Sequence, residues 1–126
     1  MERTIIHTKE APAPIGPYSQ AVQADNLVFV SGQVALDPLT GNMNNSELAT
    51  ETHQVMKNLL AVLNAAGCDF SHVIKTTIFL SDMQLFTQVN EIYGSYFKEN
   101  FPARETVAVK GLPKNANVEI SVIASR

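Results

Sequence analysis

Cysteine is nearly missing from this chain. Cys68 stands alone among 126 residues, so no intramolecular disulfide can form and the fold must hold by packing. Long hydrophobic runs are missing too, and none approaches the roughly 20 residues that a membrane-spanning helix requires. The stretch Met1 to Lys9 lacks the basic start and long apolar segment of a secretory signal. Together these absences predict a protein of a reducing compartment, cytoplasmic and without a membrane partner.

An excess of positive charge is also lacking. The formal net charge is −3, and Lys9, Lys57, Lys75, Lys98, Arg104, Lys110 and Lys114 are scattered without a run or stripe. Nucleic acid is therefore not an expected partner. No phosphate-cradling loop of the Walker type and no Gly-x-Gly-x-x-Gly occurs, which removes the usual nucleotide sites. Ser31-Gly32 lacks the preceding glycine of a nucleophile elbow. His7, His53 and His72 stand apart from one another and from any ligand-like spacing, so neither a metal nor another cofactor is expected. Cys68 reads as a packing residue.

What is present is the balance of a folded protein, with 45% hydrophobic and 17% charged residues over a length that suits one domain, residues 1–126. A first strand precedes the proline-rich connector Ala11 to Pro17. Apolar alternation predicts strands over Tyr18 to Gln23 and Leu27 to Val34, joined at Ala24-Asp25-Asn26 as a hairpin. After the turn-forming segment Asp37 to Asn42, Asn44 and Glu47 have capping-box spacing. Leu48, Val55, Met56, Leu59, Val62, Leu63 and Ala66 then recur at helical intervals until Gly67 ends the helix. Val73 to Leu80 is a β-branched run of strand length. Ser81 and Asp82 offer a cap for a second helix whose inner face carries Leu85, Phe86, Val89, Tyr93, Tyr96 and Phe97. Strands near Glu105 to Val109 and Val118 to Ala124 flank the turn residues Pro113 to Asn117.

The order predicts an α+β fold, one mixed sheet with two helices packed on one face. A Val- and Ile-rich sheet covered on one side leaves an apolar face, which predicts oligomerisation.

The stretch Phe101-Pro102-Ala103-Arg104 stops a helix and delivers an arginine as a strand begins. Arginine's planar fork matches a carboxylate with two parallel hydrogen bonds, and its charge persists at any working pH. From spacing alone, a surface arginine paired with a glutamate fits equally. Further motifs run in order along the chain: Gly16-Pro17-Tyr18-Ser19-Gln20, Val30-Ser31-Gly32-Gln33, Lys75-Thr76-Thr77, Val89 to Tyr93, Leu112-Pro113 and Val118-Glu119-Ile120. With these, the chain resembles the Rid family, the reactive intermediate deaminases also called YjgF-like proteins.

That resemblance implies a chorismate-mutase-like α+β fold and a homotrimer with sites in the clefts between subunits. It also implies hydrolysis of small enamine and imine acids, 2-aminoacrylate/2-iminopropanoate and 2-iminobutanoate, to 2-oxo acids and ammonia. Arg104 matches the family arginine that binds the substrate carboxylate, and Glu119 the acid that positions the attacking water. Tyr18, Ser31, Gly32 and Asn90 match residues that line the pocket. Thr106 stands where many of these deaminases carry a cysteine. Two other readings stay open: a ligand-binding or regulatory module of the same fold, and an endoribonuclease or translation inhibitor. Arg104 together with Glu119 favours the deaminase, since a module that only binds has no use for a water-orienting acid.

Overall fold

The computed structural model describes residues 2–126. Six strands and two helices follow one another: β1 (Arg3–Ile6), β2 (Ala21–Ala24), β3 (Leu27–Gln33), α1 (Leu48–Ala65), β4 (Val73–Leu80), α2 (Phe86–Gly94), β5 (Ala103–Ala108) and β6 (Val118–Ser125). They form one sheet in the order β1-β2-β3-β6-β4-β5. All neighbours are antiparallel except β4 and β5, which the α2 crossover makes parallel. The expected mixed sheet with two helices on one face is found.

Period-two alternation explains how the sheet takes sides. Val118, Ile120, Val122 and Ala124 of β6 are buried, as are Val28 and Val30 of β3, and they meet Met56, Leu59 and Leu63 of α1 in the core. The intervening residues form a second face that no helix covers. There Ile5, Phe29 and Val107 remain 57%, 43% and 43% exposed. The apolar face that the sequence predicts is present.

Gly67 closes α1 as predicted. At φ +76° it lets its own N–H reach the Asn64 carbonyl and the Cys68 N–H reach that of Leu63, a Schellman ending.

Five boundaries differ from expectation. Asn44 does not cap α1: Glu47 holds the cap position in extended backbone without a side-chain bond, and the Asn44 amide donates to Gln54 instead. β2 begins at Ala21 rather than Tyr18; the Gln20 carbonyl still accepts from the Ser31 N–H at 2.9 Å, while its buried side-chain amide bonds Thr8, Ala11 and Pro12. This side chain fastens the proline-rich connector to the sheet. Asp82 does cap, but it caps a 3-10 turn over Met83–Leu85 that leads into α2. α2 itself ends at Gly94, so Tyr96 and Phe97 pack on the core from beyond the helix. Finally, β5 starts at Ala103, which puts Arg104 inside the strand.

One carboxylate lies within the core. Glu51 of α1 is fully buried and accepts from the Asn117 N–H at 2.7 Å, the Asn117 amide at 3.0 Å and the Val118 N–H at 3.4 Å. It thereby fixes the start of β6 against α1.

Candidate active site

Arg104 stands on β5 in register with Thr76 of β4, and its side chain rises on the helix-covered face. Three residues of α2 receive it. Asn90 Oδ1 accepts from Arg104 Nη1 at 2.8 Å, while the guanidinium carbon lies 5.2 Å from the Tyr93 ring centre and 5.7 Å from that of Phe86. Each cation–π contact at an exposed site is worth about 0.5–1 kcal/mol. Among the described residues no carboxylate pairs with Arg104. The alternative of a surface arginine bound to a glutamate is thus set aside: Glu105, next in sequence, points to the other face and takes Lys75 at 2.8 Å.

The guanidinium opens into a cleft of about 500 Å³ lined by Asn90, Tyr93, Gly94, Phe101, Pro102 and Arg104. With one donor committed to Asn90 and its flanks on aromatic rings, it keeps N–H groups for an incoming oxyanion. Thr106 follows on the same face of β5, in register with the buried Ile78. Its hydroxyl oxygen is buried without a hydrogen-bond partner. An unpaired buried hydroxyl is unfavourable by about 1–3 kcal/mol, which makes it a natural contact for a bound polar group.

Glu119 lies elsewhere. It pairs with Phe79 across β4–β6, between the buried Val118 and Ile120, so its side chain projects from the uncovered face. No hydrogen bond reaches its carboxylate among the described residues, and burial alone pushes its pKa upward.

Gly32 packs closely beside it. A Cβ on Gly32 would sit 2.6 Å from Glu119 Oε2. The ladder between β3 and β6 slips here, with Val30 opposite Val122 but Gln33 opposite Ile120, so Ser31 and Gly32 form a bulge that makes room for the acid. The Ser31 hydroxyl donates to the Ser19 carbonyl at 2.6 Å, tying this bulge to the segment that carries Tyr18. Tyr18 is half exposed, and its ring lies against Gly16.

The residues singled out in the sequence therefore form two groups. Arg104, Asn90 and Thr106 share the helix-covered side of the sheet near its β5 edge. Glu119, Gly32, Ser31 and Tyr18 share the region around the β3–β6 bulge, with Glu119 on the open face. One chain does not bring Arg104 and Glu119 together. The sequence reading missed Phe86 and Tyr93 as the bed of the arginine, although an asparagine inside the apolar stripe Phe86, Asn90, Tyr93 was a visible signal. Among the described residues no three His, Cys, Asp or Glu side chains group as metal ligands, and no helix is long and apolar enough to cross a membrane.

Comparison with known proteins follows the same lines. Residues 8–126 match the family model described as Endoribonuclease L-PSP. The human protein named 2-iminobutanoate/2-iminopropanoate deaminase is 48% identical over 122 residues, covering 97% of this chain and 89% of that protein. Among solved structures, RidA from an Antarctic Psychrobacter shares 37% identity with a TM-score of 0.94, over 98% of this chain and 99% of the other. Escherichia coli TdcF with bound serine shares 36% identity with a TM-score of 0.93, over 98% of each chain.

Proposed function

The chain belongs to the Endoribonuclease L-PSP family, the YjgF/Rid group, and from that premise we propose how its two groups of residues work as one site. The protein is a deaminase of reactive imines. It hydrolyses 2-iminopropanoate and 2-iminobutanoate, the tautomers of enamines such as 2-aminoacrylate, to 2-oxo acids and ammonia. The observation that carries this reading is Arg104, an arginine with no internal carboxylate, bedded on two rings and open to a cleft. The family description names RNA cleavage, but a chain of net charge −3 with its histidines dispersed offers neither a phosphate track nor a paired acid and base.

Since Arg104 and Glu119 lie on opposite faces of one sheet, a shared site needs a second copy of the chain. A homotrimer with the open faces inward, as the family resemblance implies, supplies it: Phe29 and Val107 are then covered, and Arg104 of one subunit meets Glu119 of the next. The cytoplasm, where such imines arise, suits a chain whose one cysteine is buried and free.

In this arrangement Arg104 grips the substrate carboxylate and Thr106 offers its hydroxyl beside it. Glu119 takes a proton from a water as the water oxygen bonds to the imine carbon. Glu119 passes that proton to the imine nitrogen, and a tetrahedral carbinolamine forms. Glu119 then takes the hydroxyl proton and delivers it to the amino nitrogen as the C–N bond breaks, so ammonia departs and the 2-oxo acid is left. Orientation and general acid–base help suffice because the imine is already electrophilic.

The test generates 2-aminoacrylate in situ with a serine dehydratase and times 2-oxo acid release. Acceleration by the parent protein, lost in Arg104→Lys, is the expected result. No acceleration across small imino acids would point to a binding module, and activity at the parental level in Arg104→Lys would sink the bidentate grip.

A further inference from the structure

Arginine is long and has many rotamers, so an anchor made of it must be held. Here the holding parts lie on one helical stripe. Phe86, Asn90 and Tyr93 are at i, i+4 and i+7 of α2, which stacks them on one face. The stripe is not free to slide along the guanidinium. Tyr93 is buried, and its hydroxyl donates at 2.9 Å to Thr76 Oγ1, itself fully buried. Thr76 is the β4 residue directly in register with Arg104 on β5. The ring under the arginine is thus bolted to the strand beside the arginine's own.

We infer that Phe86 and Tyr93, the latter fixed through Thr76, are positioning residues that hold the Arg104 guanidinium with its fork turned to the cleft, and so set carboxylate affinity rather than the rate of the chemical step. The inference rests on the reading of Arg104 as the carboxylate anchor. The Phe86 and Tyr93 ring centres lie 5.7 Å and 5.2 Å from the guanidinium carbon and Asn90 takes one N–H, which leaves the remaining N–H groups for a ligand oxyanion. Glu119 and the water it handles lie outside this clamp, so the bond-making groups need not shift when it loosens.

Three variants test the clamp in the intact assembly. Phe86→Leu keeps apolar bulk but removes a ring face, Phe86→Tyr restores a ring, and Tyr93→Phe keeps the ring but cuts the bond to Thr76. Pyruvate, the product 2-oxo acid, is the binding probe in calorimetric titration, and KM and kcat are measured on in situ 2-aminoacrylate. Phe86→Leu should raise KM and the pyruvate Kd about two- to fivefold, as expected for one cation–π contact, with kcat within about twofold of the parent. Phe86→Tyr should restore both values, and Tyr93→Phe should raise both in the same direction.

Arg104→Ala is the reference. If it abolishes pyruvate binding while Phe86→Leu and Tyr93→Phe bind at the parental Kd, the positioning role is wrong and the anchor stands. If Arg104→Ala itself binds pyruvate as the parent does, the anchor reading falls and takes the positioning role with it. A loss in Phe86→Leu confined to kcat, with KM and Kd unmoved, would also overturn the inference.

Discussion

Glu51 and Glu119 sit on opposite sides of the same sheet and differ in how far their chemistry is completed within one chain. Glu51 is sealed under α1 and takes three N–H groups from the turn into β6, so its oxygens are occupied. Glu119, one residue beyond that turn, is half-buried on the open face with no donor, and burial favours its protonated form. The first carboxylate joins elements; the second is held in reserve. In the proposed site, the groups left without partners within one chain are Glu119 and the Thr106 hydroxyl.

The comparison breaks if the two acids respond alike to substitution. Glu119→Gln should reduce kcat by about 10²–10⁴-fold, the usual worth of general acid–base help, while thermal stability stays at or above the parent's. Because burial raises its folded pKa, Glu119 supports the fold in its protonated form. That support fades as pH rises through the raised value, so Glu119→Gln should gain most above it and converge with the parent in acid. Glu51→Gln should do the reverse. Its new amide confronts donors with a donor, and stability should fall by about 2–3 kcal/mol in denaturant titration, with kcat per folded molecule unchanged.

Thr106→Val sharpens the contrast at smaller scale. It removes the unpaired hydroxyl at nearly constant volume, so the unliganded protein should gain about 1 kcal/mol while kcat/KM falls severalfold. A variant less stable than the parent, with turnover intact, would mean that the hydroxyl serves the fold.

Local features were legible in the sequence where neighbours in the chain decide them. The helical spacing from Leu48 to Ala66, the stop at Gly67 and the β-branched run Val73 to Leu80 all lie close to their observed limits. Misreadings arose where a distant partner outweighed local pattern. The Gln20 side chain ties down the proline-rich connector just ahead of β2, and Asn44 bonded Gln54 instead of capping α1. The site residues could be chosen by motif, but not their sides of the sheet. That depends on register, and both ladders of β6 carry irregularities, at Val30/Gln33 and at Val73/Lys75. A one-residue slip moves a side chain to the other face. That Arg104 and Glu119 lie on opposite faces of the sheet was therefore invisible until the strands were paired.

Subunit complementation tests that separation most directly. Arg104→Ala and Glu119→Gln chains, each inactive alone, are coexpressed with different affinity tags and purified as mixed assemblies. In a ring of three, every mixed assembly contains one site with an intact arginine from one copy and an intact glutamate from the next. About a third of parental deaminase activity should return. Mixed assemblies no more active than either variant alone would contradict a site shared between copies.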